Sequence, residues 1–140
     1  MFARLILFAA LALTTGCNSV LGLGERQVVA VIDGFGTDAP AIEVPSVVQA
    51  GNDLSVTINT TWGDGCARQG PTEIRSDGAT RTITPYTIII ERQLCTMEAR
   101  QFTHTAVLRF DEPGPARVIV RSRAYPSGEV SSMQRAITVQ

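Results

Sequence analysis

From Leu54 to Trp62 apolar and polar positions alternate without a break. Leu54, Val56, Ile58, Thr60 and Trp62 fall on one face, and Ser55, Thr57, Asn59 and Thr61 on the other. A period of two with polar alternates is the pattern of a strand half-buried against a core. Trp62 continues the apolar face and is expected in that core. The alternation returns in His104–Phe110, with Ala106, Leu108 and Phe110 in phase, and in Ala116–Ala124, where Val118 and Val120 oppose Arg117, Ile119, Arg121 and Arg123. Arg26–Phe35 holds the β-branched run VVAVI, and Met133–Val139 (MQRAITV) closes the chain in extended character. Two further stretches are interrupted by proline: Ala41–Val48 at Pro45, which suits an edge strand or a bulge, and Arg81–Arg92 at Pro85, which breaks the ladder. Ala50–Asp53, Asp111–Pro115 and Tyr125–Gly128 carry turn residues, and Gly63–Gly70 (GDGCARQG) reads as a loop.

No stretch sustains a helical period. About seven or eight short strands, with turns every 8–12 residues, predict an all-β sandwich or barrel. VPSVVQAGNDLSVTI (45–58), LRFDEPGPARVIVRSR (108–123) and RAITV (135–139) resemble the strands of bacterial immunoglobulin-like domains over roughly residues 41–140. That resemblance implies an immunoglobulin-like antiparallel β-sandwich and brings no functional residues with it. It departs from antibody domains in one respect: their tryptophan lies between the two cysteines, whereas Trp62 precedes both Cys66 and Cys95.

The chain begins differently. Arg4 precedes Leu5–Leu13 (LILFAALAL), an unbroken apolar run, and Thr14-Thr15-Gly16-Cys17 follows. A charged start, a short apolar run and a small-residue exit describe a secretory signal peptide. Leu13-Thr14-Thr15-Gly16-Cys17 resembles the lipobox of bacterial lipoproteins, although that family prefers Leu where Thr14 stands. The resemblance implies cleavage before Cys17 and a lipid on its sulfur. Asn18, where family members retained at the inner membrane carry Asp, implies the outer membrane. Two other readings compete: cleavage after Ala12, or an uncleaved anchor over the uncharged residues 5–24. Glycines at 22 and 24 and the Thr-Thr-Gly-Cys-Asn-Ser insertion weaken the anchor. The expected organisation is a signal peptide over residues 1–16, lipidated Cys17 with a short tether over 17–25, and one domain over 26–140. The eight residues between Cys17 and Arg26 span at most about 30 Å, which keeps the domain close to the membrane.

Cysteine arithmetic fits export. Of three cysteines, lipidation would remove Cys17, leaving Cys66 and Cys95 as an even pair in an oxidising compartment. A disulfide between them is expected. Two separate thiols are the alternative, and neither has the short-spaced partner of a zinc site.

Composition narrows the chemistry. Twelve basic residues, all Arg, face thirteen acidic ones, which argues against a nucleic-acid binder. The hydrophobic fraction of 44% rules out a disordered chain. His104 is the one histidine, which excludes sites built on two imidazoles. It is in phase with Ala106 and Leu108 and reads as a strand-end residue rather than a catalytic base. There is no Gly-x-Ser-x-Gly elbow and no Lys for a Ser-Lys pair. Asp111-Glu112 and the pair Asp33 and Asp38 read as solvated turn acids, without the spacing of a calcium loop. No cofactor and no metal are expected.

One arginine pattern stands out. If the strand carrying Arg109 pairs with the strand carrying Arg117, Arg121 and Arg123, the four form a basic face suited to carboxylate or phosphate groups. Equally, Arg fills every solvated basic position in a chain without Lys. Among aromatic rings, Tyr125 in its turn is expected to be exposed, and Trp62 and Tyr86 are not. The expected function is a non-catalytic envelope lipoprotein, anchored in the membrane by its lipid, that binds a protein partner in the envelope. The alternative is a small ligand-binding or hydrolase-inhibiting lipoprotein that inserts Gly63–Gly70 or Pro113–Pro115 into a cleft.

Overall fold

The computed structural model describes residues 24–32, 41–91 and 94–140. They form nine strands and no helix. Residues 1–23 and 33–40 lie outside the described residues, and with them Cys17, the signal segment, Asp33 and Asp38.

β1 is Glu25–Val29, β2 Ile42–Glu43, β3 Val47–Val48, β4 Asp53–Trp62, β5 Ala67–Asp77, β6 Thr80–Ile90, β7 Arg100–Arg109, β8 Gly114–Arg123 and β9 Val130–Val139. β2, β4 and β7 make a three-stranded sheet, and the other six make the second sheet of a β-sandwich. Pairing is antiparallel throughout except for two short parallel ladders, β6 with β8 and β3 with β9.

The alternation of β4 is realised as read: Leu54, Val56, Ile58 and Thr60 are buried and their neighbours are not. β7 lies against it with Leu54 opposite Leu108 and Val56 opposite Ala106. Ile83, Val118, Val120 and Ile137 close the core from the six-stranded sheet. Each such side chain contributes roughly 1.5–3 kcal/mol when fully buried.

β5 replaces the second half of the loop expected over Gly63–Gly70, leaving Gly63–Cys66 outside strands. Its sequence, ARQGPTEIRSD, is polar and holds Gly70 and Pro71. Backbone pairing to β6 makes it a strand, not an apolar face. The ladder shifts between Gln69 and Thr72, and a Cβ on Gly70 would sit 2.6 Å from the Tyr86 carbonyl oxygen.

Pro85 is fully buried in the middle of β6 without ending it. One edge of β6 changes partner at this point, from β8 at Thr80–Ile83 to β1 at Tyr86–Ile90. The Pro85 carbonyl accepts from Ala30 N at 2.9 Å. Its missing N–H falls on the same edge, in the gap between the two partners, where no ladder bond is lost. The chain after β1 then passes to the other sheet, with Val31 bridging to Thr61 of β4.

Candidate functional site

β4 ends at Trp62, opposite Arg100 at the start of β7. Contrary to the core placement expected for it, Trp62 is only half-buried. With Val31, Ala99 and Tyr125 it lines a groove of about 260 Å³ whose polar lining comes from Thr61 and Gln101. The walls are pinned by hydrogen bonds from backbone amides. Thr61 N donates to Val31 O at 2.9 Å, Arg123 N to Ala30 O at 3.0 Å, and Ile32 N to Ser122 Oγ at 3.2 Å.

Tyr125 opens the turn between β8 and β9 and is 77% exposed. Its peptide bond to Pro126 is cis. Gly128 closes the turn at φ +77, donating to Ala124 O, and a Cβ there would meet the Arg123 guanidinium at 2.5 Å. The turn therefore favours glycine for its dihedral, and the Arg123 guanidinium folds over it.

The expected Cys66–Cys95 disulfide is formed, with Cα atoms 5.3 Å apart. It ties the Gly63–Cys66 loop to the segment before β7. Gly65 N donates to Thr96 O, and Cys66 N to Asp64 Oδ1, both at 2.8 Å. Asp64, Cys66 and Cys95 are the one group of three metal-capable side chains among the described residues, but the disulfide consumes both sulfurs. The first described residue, Gly24, accepts from Glu91 N, and Ile90 N donates to Cys66 O. Chain entry, disulfide and groove thus share one end of the sandwich.

The four-arginine face requires correction. β7 and β8 belong to different sheets, so Arg109 does not join Arg117, Arg121 and Arg123. Arg109 donates to Asp111 at 2.9 Å, and that bond raises its pKa. Arg123 is folded against Gly128. Arg121 faces a cluster on β5 and β6 in which Tyr86 donates to Glu73 Oε2 at 3.0 Å and Arg75 to Oε1 at 3.2 Å. The Tyr86 bond first, then Arg75, hold the Glu73 carboxyl below its ordinary range. Burial and then Glu73 push the Tyr86 phenol up. β7 pairs with β4, and β8 with β6 and β9, which outward phase alone does not reveal.

His104 lies within β7, not at its end, and is fully buried. Its Nδ1 is 2.9 Å from Thr72 Oγ1, and Nε2 has no partner among the described residues. Burial lowers its pKa below the ordinary 6.5, so the ring is held neutral. It does not line the Trp62–Tyr125 groove. The inhibitory loops considered from sequence are shortened as well: β5 begins at Ala67 and β8 at Gly114.

Trp62 was legible only as the last apolar residue of an alternating strand, directly before Gly63-Asp64-Gly65. That position places a large ring at the rim of a sheet. No protein family, curated protein or solved structure matches the chain.

Proposed function

We propose that this chain is a lipid-tethered protein of the bacterial envelope whose immunoglobulin-like sandwich binds another envelope protein through the Trp62–Tyr125 groove, without catalysing a reaction. The groove is the observation that carries the reading. Trp and Tyr present large contact area at low conformational cost and are the residues that dominate binding sites on proteins. At about 260 Å³ the groove is smaller than the roughly 300–1,000 Å³ of pockets for drug-sized molecules. It suits one or two inserted side chains of a polypeptide. The disulfide supports an oxidising compartment. β1 starts at Glu25, one residue before the domain start expected from sequence, so a tether from Cys17 would be short.

A photo-crosslinking residue at Tyr125, in intact native cells, tests the binding. A single reproducible protein from Tyr125, absent from the same probe at Arg121, is the expected result. The same neighbours from both positions would overturn it. Intact mass of the membrane-extracted protein tests the tether. A chain beginning at Cys17 with added acyl mass is expected, and a chain without lipid would remove the lipoprotein reading.

A further inference from the structure

Among the described residues, the three most exposed large apolar side chains are Met97 at 98%, Leu94 at 89% and Tyr125 at 77%. The other exposed large apolar residues are single positions on strands. These three lie off the strands and share the end of the sandwich where the chain enters at Gly24. Leu94 and Met97 flank Cys95 and Thr96, which the disulfide and the Gly65–Thr96 bond hold in place. A pinned loop presents its apolar side chains in a fixed direction. Upstream of Gly24 the sequence places Cys17 and the apolar run 5–13. Residues 18–24 can span at most about 25 Å.

We infer that this end of the sandwich rests on a lipid bilayer, with Leu94 and Met97 seated in the headgroup region and Tyr125 at its edge. The inference deepens the tethered reading and rests on it. Two apolar side chains bind a bilayer weakly by themselves. Held by a lipid anchor a few residues away, the same contact is made from a high effective concentration. Charge supports apolar seating rather than electrostatic capture. Among the described residues, three of the basic side chains at this end sit in exposed pairs, Arg68 with Glu25, Arg26 with Glu91 and Arg100 with Glu98, and Arg123 folds back against Gly128. Contact should therefore need no anionic lipid and should resist salt. In this pose the groove opens beside the membrane, and the segment that enters it comes from a juxtamembrane part of the partner.

The full-length protein, extracted from its native membrane and reconstituted in phosphatidylcholine vesicles, provides the test. Single-tryptophan variants Leu94→Trp, Met97→Trp and, as a control, Val107→Trp are made in a Trp62→Phe background. Val107 is 56% exposed on β7, away from this end. Emission is compared between plain phosphatidylcholine and phosphatidylcholine brominated near the top of its acyl chains. Bromine should quench the probes at 94 and 97 at least about twofold more than the probe at 107, unchanged by added salt. Lipidated protein with equal quenching at all three positions would overturn the membrane face and leave the tether standing. Protein without lipid whose 94 and 97 probes are still selectively quenched would sink the tether and keep the face. Quenching at 94 and 97 that disappears in salt would overturn the apolar seating.

Discussion

The two ends of the sandwich are built on opposite principles. At the end away from chain entry, Arg81 lies on the inward phase of β6, beside Val118 of β8. Its guanidinium sits 4.6 Å from the Phe110 ring centroid and donates to the carbonyls of Arg109, Gly78 and Thr80 at 2.6–3.1 Å. One cation thereby ties that end together: its donors are met by backbone and its flat face by an aromatic ring. The chain-entry end has no such plug among the described residues. It is cross-linked by Cys66–Cys95, leaves Trp62 half-buried and displays Leu94, Met97 and Tyr125 to solvent. That other end also carries a groove, of about 250 Å³, but Arg81, Asp111 and Glu112 share its lining with Phe110. The terminus that is stapled from outside keeps its rings and apolar tips available. The recognition we propose falls at the stapled end, where the large apolar side chains are exposed.

Removing the staple should have the largest effect. Closing the 29-residue separation contributes about 3–4 kcal/mol in the chain-entropy model. Urea unfolding of Cys66→Ser/Cys95→Ser, or of the reduced protein, should show a loss of that size and should also abolish crosslinking from Tyr125. Arg81→Met keeps the stem and removes the charged donors. It should cost about 1.5–3 kcal/mol by the same measurement, with crosslinking from Tyr125 intact. Loss of crosslinking in a folded Arg81→Met protein would mean that the two ends are not independent.

The middle of the sandwich supplies a smaller effect. His104 is depressed by burial, so above its unfolded value of 6.5 both states are neutral and stability is full. As pH falls from 6.5 toward the folded pKa, the unfolded chain takes up a proton that the folded one refuses, and stability drops. The loss is about 1.4 kcal/mol for each unit separating the two values. Urea midpoints measured from pH 7 to pH 5 should decline in the native protein and stay flat in His104→Gln. Glu73, whose pKa is lowered, adds its own loss only below its ordinary 4.5, outside that window. The smallest effect is expected at the groove itself. Tyr125→Ser should change stability by less than about 0.5 kcal/mol while weakening partner capture. A larger loss of stability would make Tyr125 part of the fold rather than of a binding surface.

Much of this was readable before any coordinate. The strands β4, β7 and β8 stand where their alternation put them, because a two-residue period has one way to bury a face. Cys66 and Cys95 pair as parity and export implied. β5 was hidden because ARQGPTEIRSD has no apolar face to announce it. Pro85 was misleading because a proline breaks a ladder only where a partner waits for its N–H. The arginines at 109, 117, 121 and 123 share an outward phase, yet phase carries no information about which sheet a strand joins.

By itself, then, the sequence determined the all-β class, most inward residues of the regular strands and the expectation that Cys66 and Cys95 pair. These are local properties, set by side-chain period and residue chemistry. Tertiary structure alone decided that β7 and β8 lie in different sheets, that β6 exchanges β8 for β1 at Pro85, and that Val31, Trp62, Ala99 and Tyr125 meet in one groove. Those outcomes depend on contacts between segments tens of residues apart. Such contacts are chosen by the packing of the whole core, not by any one stretch of chain.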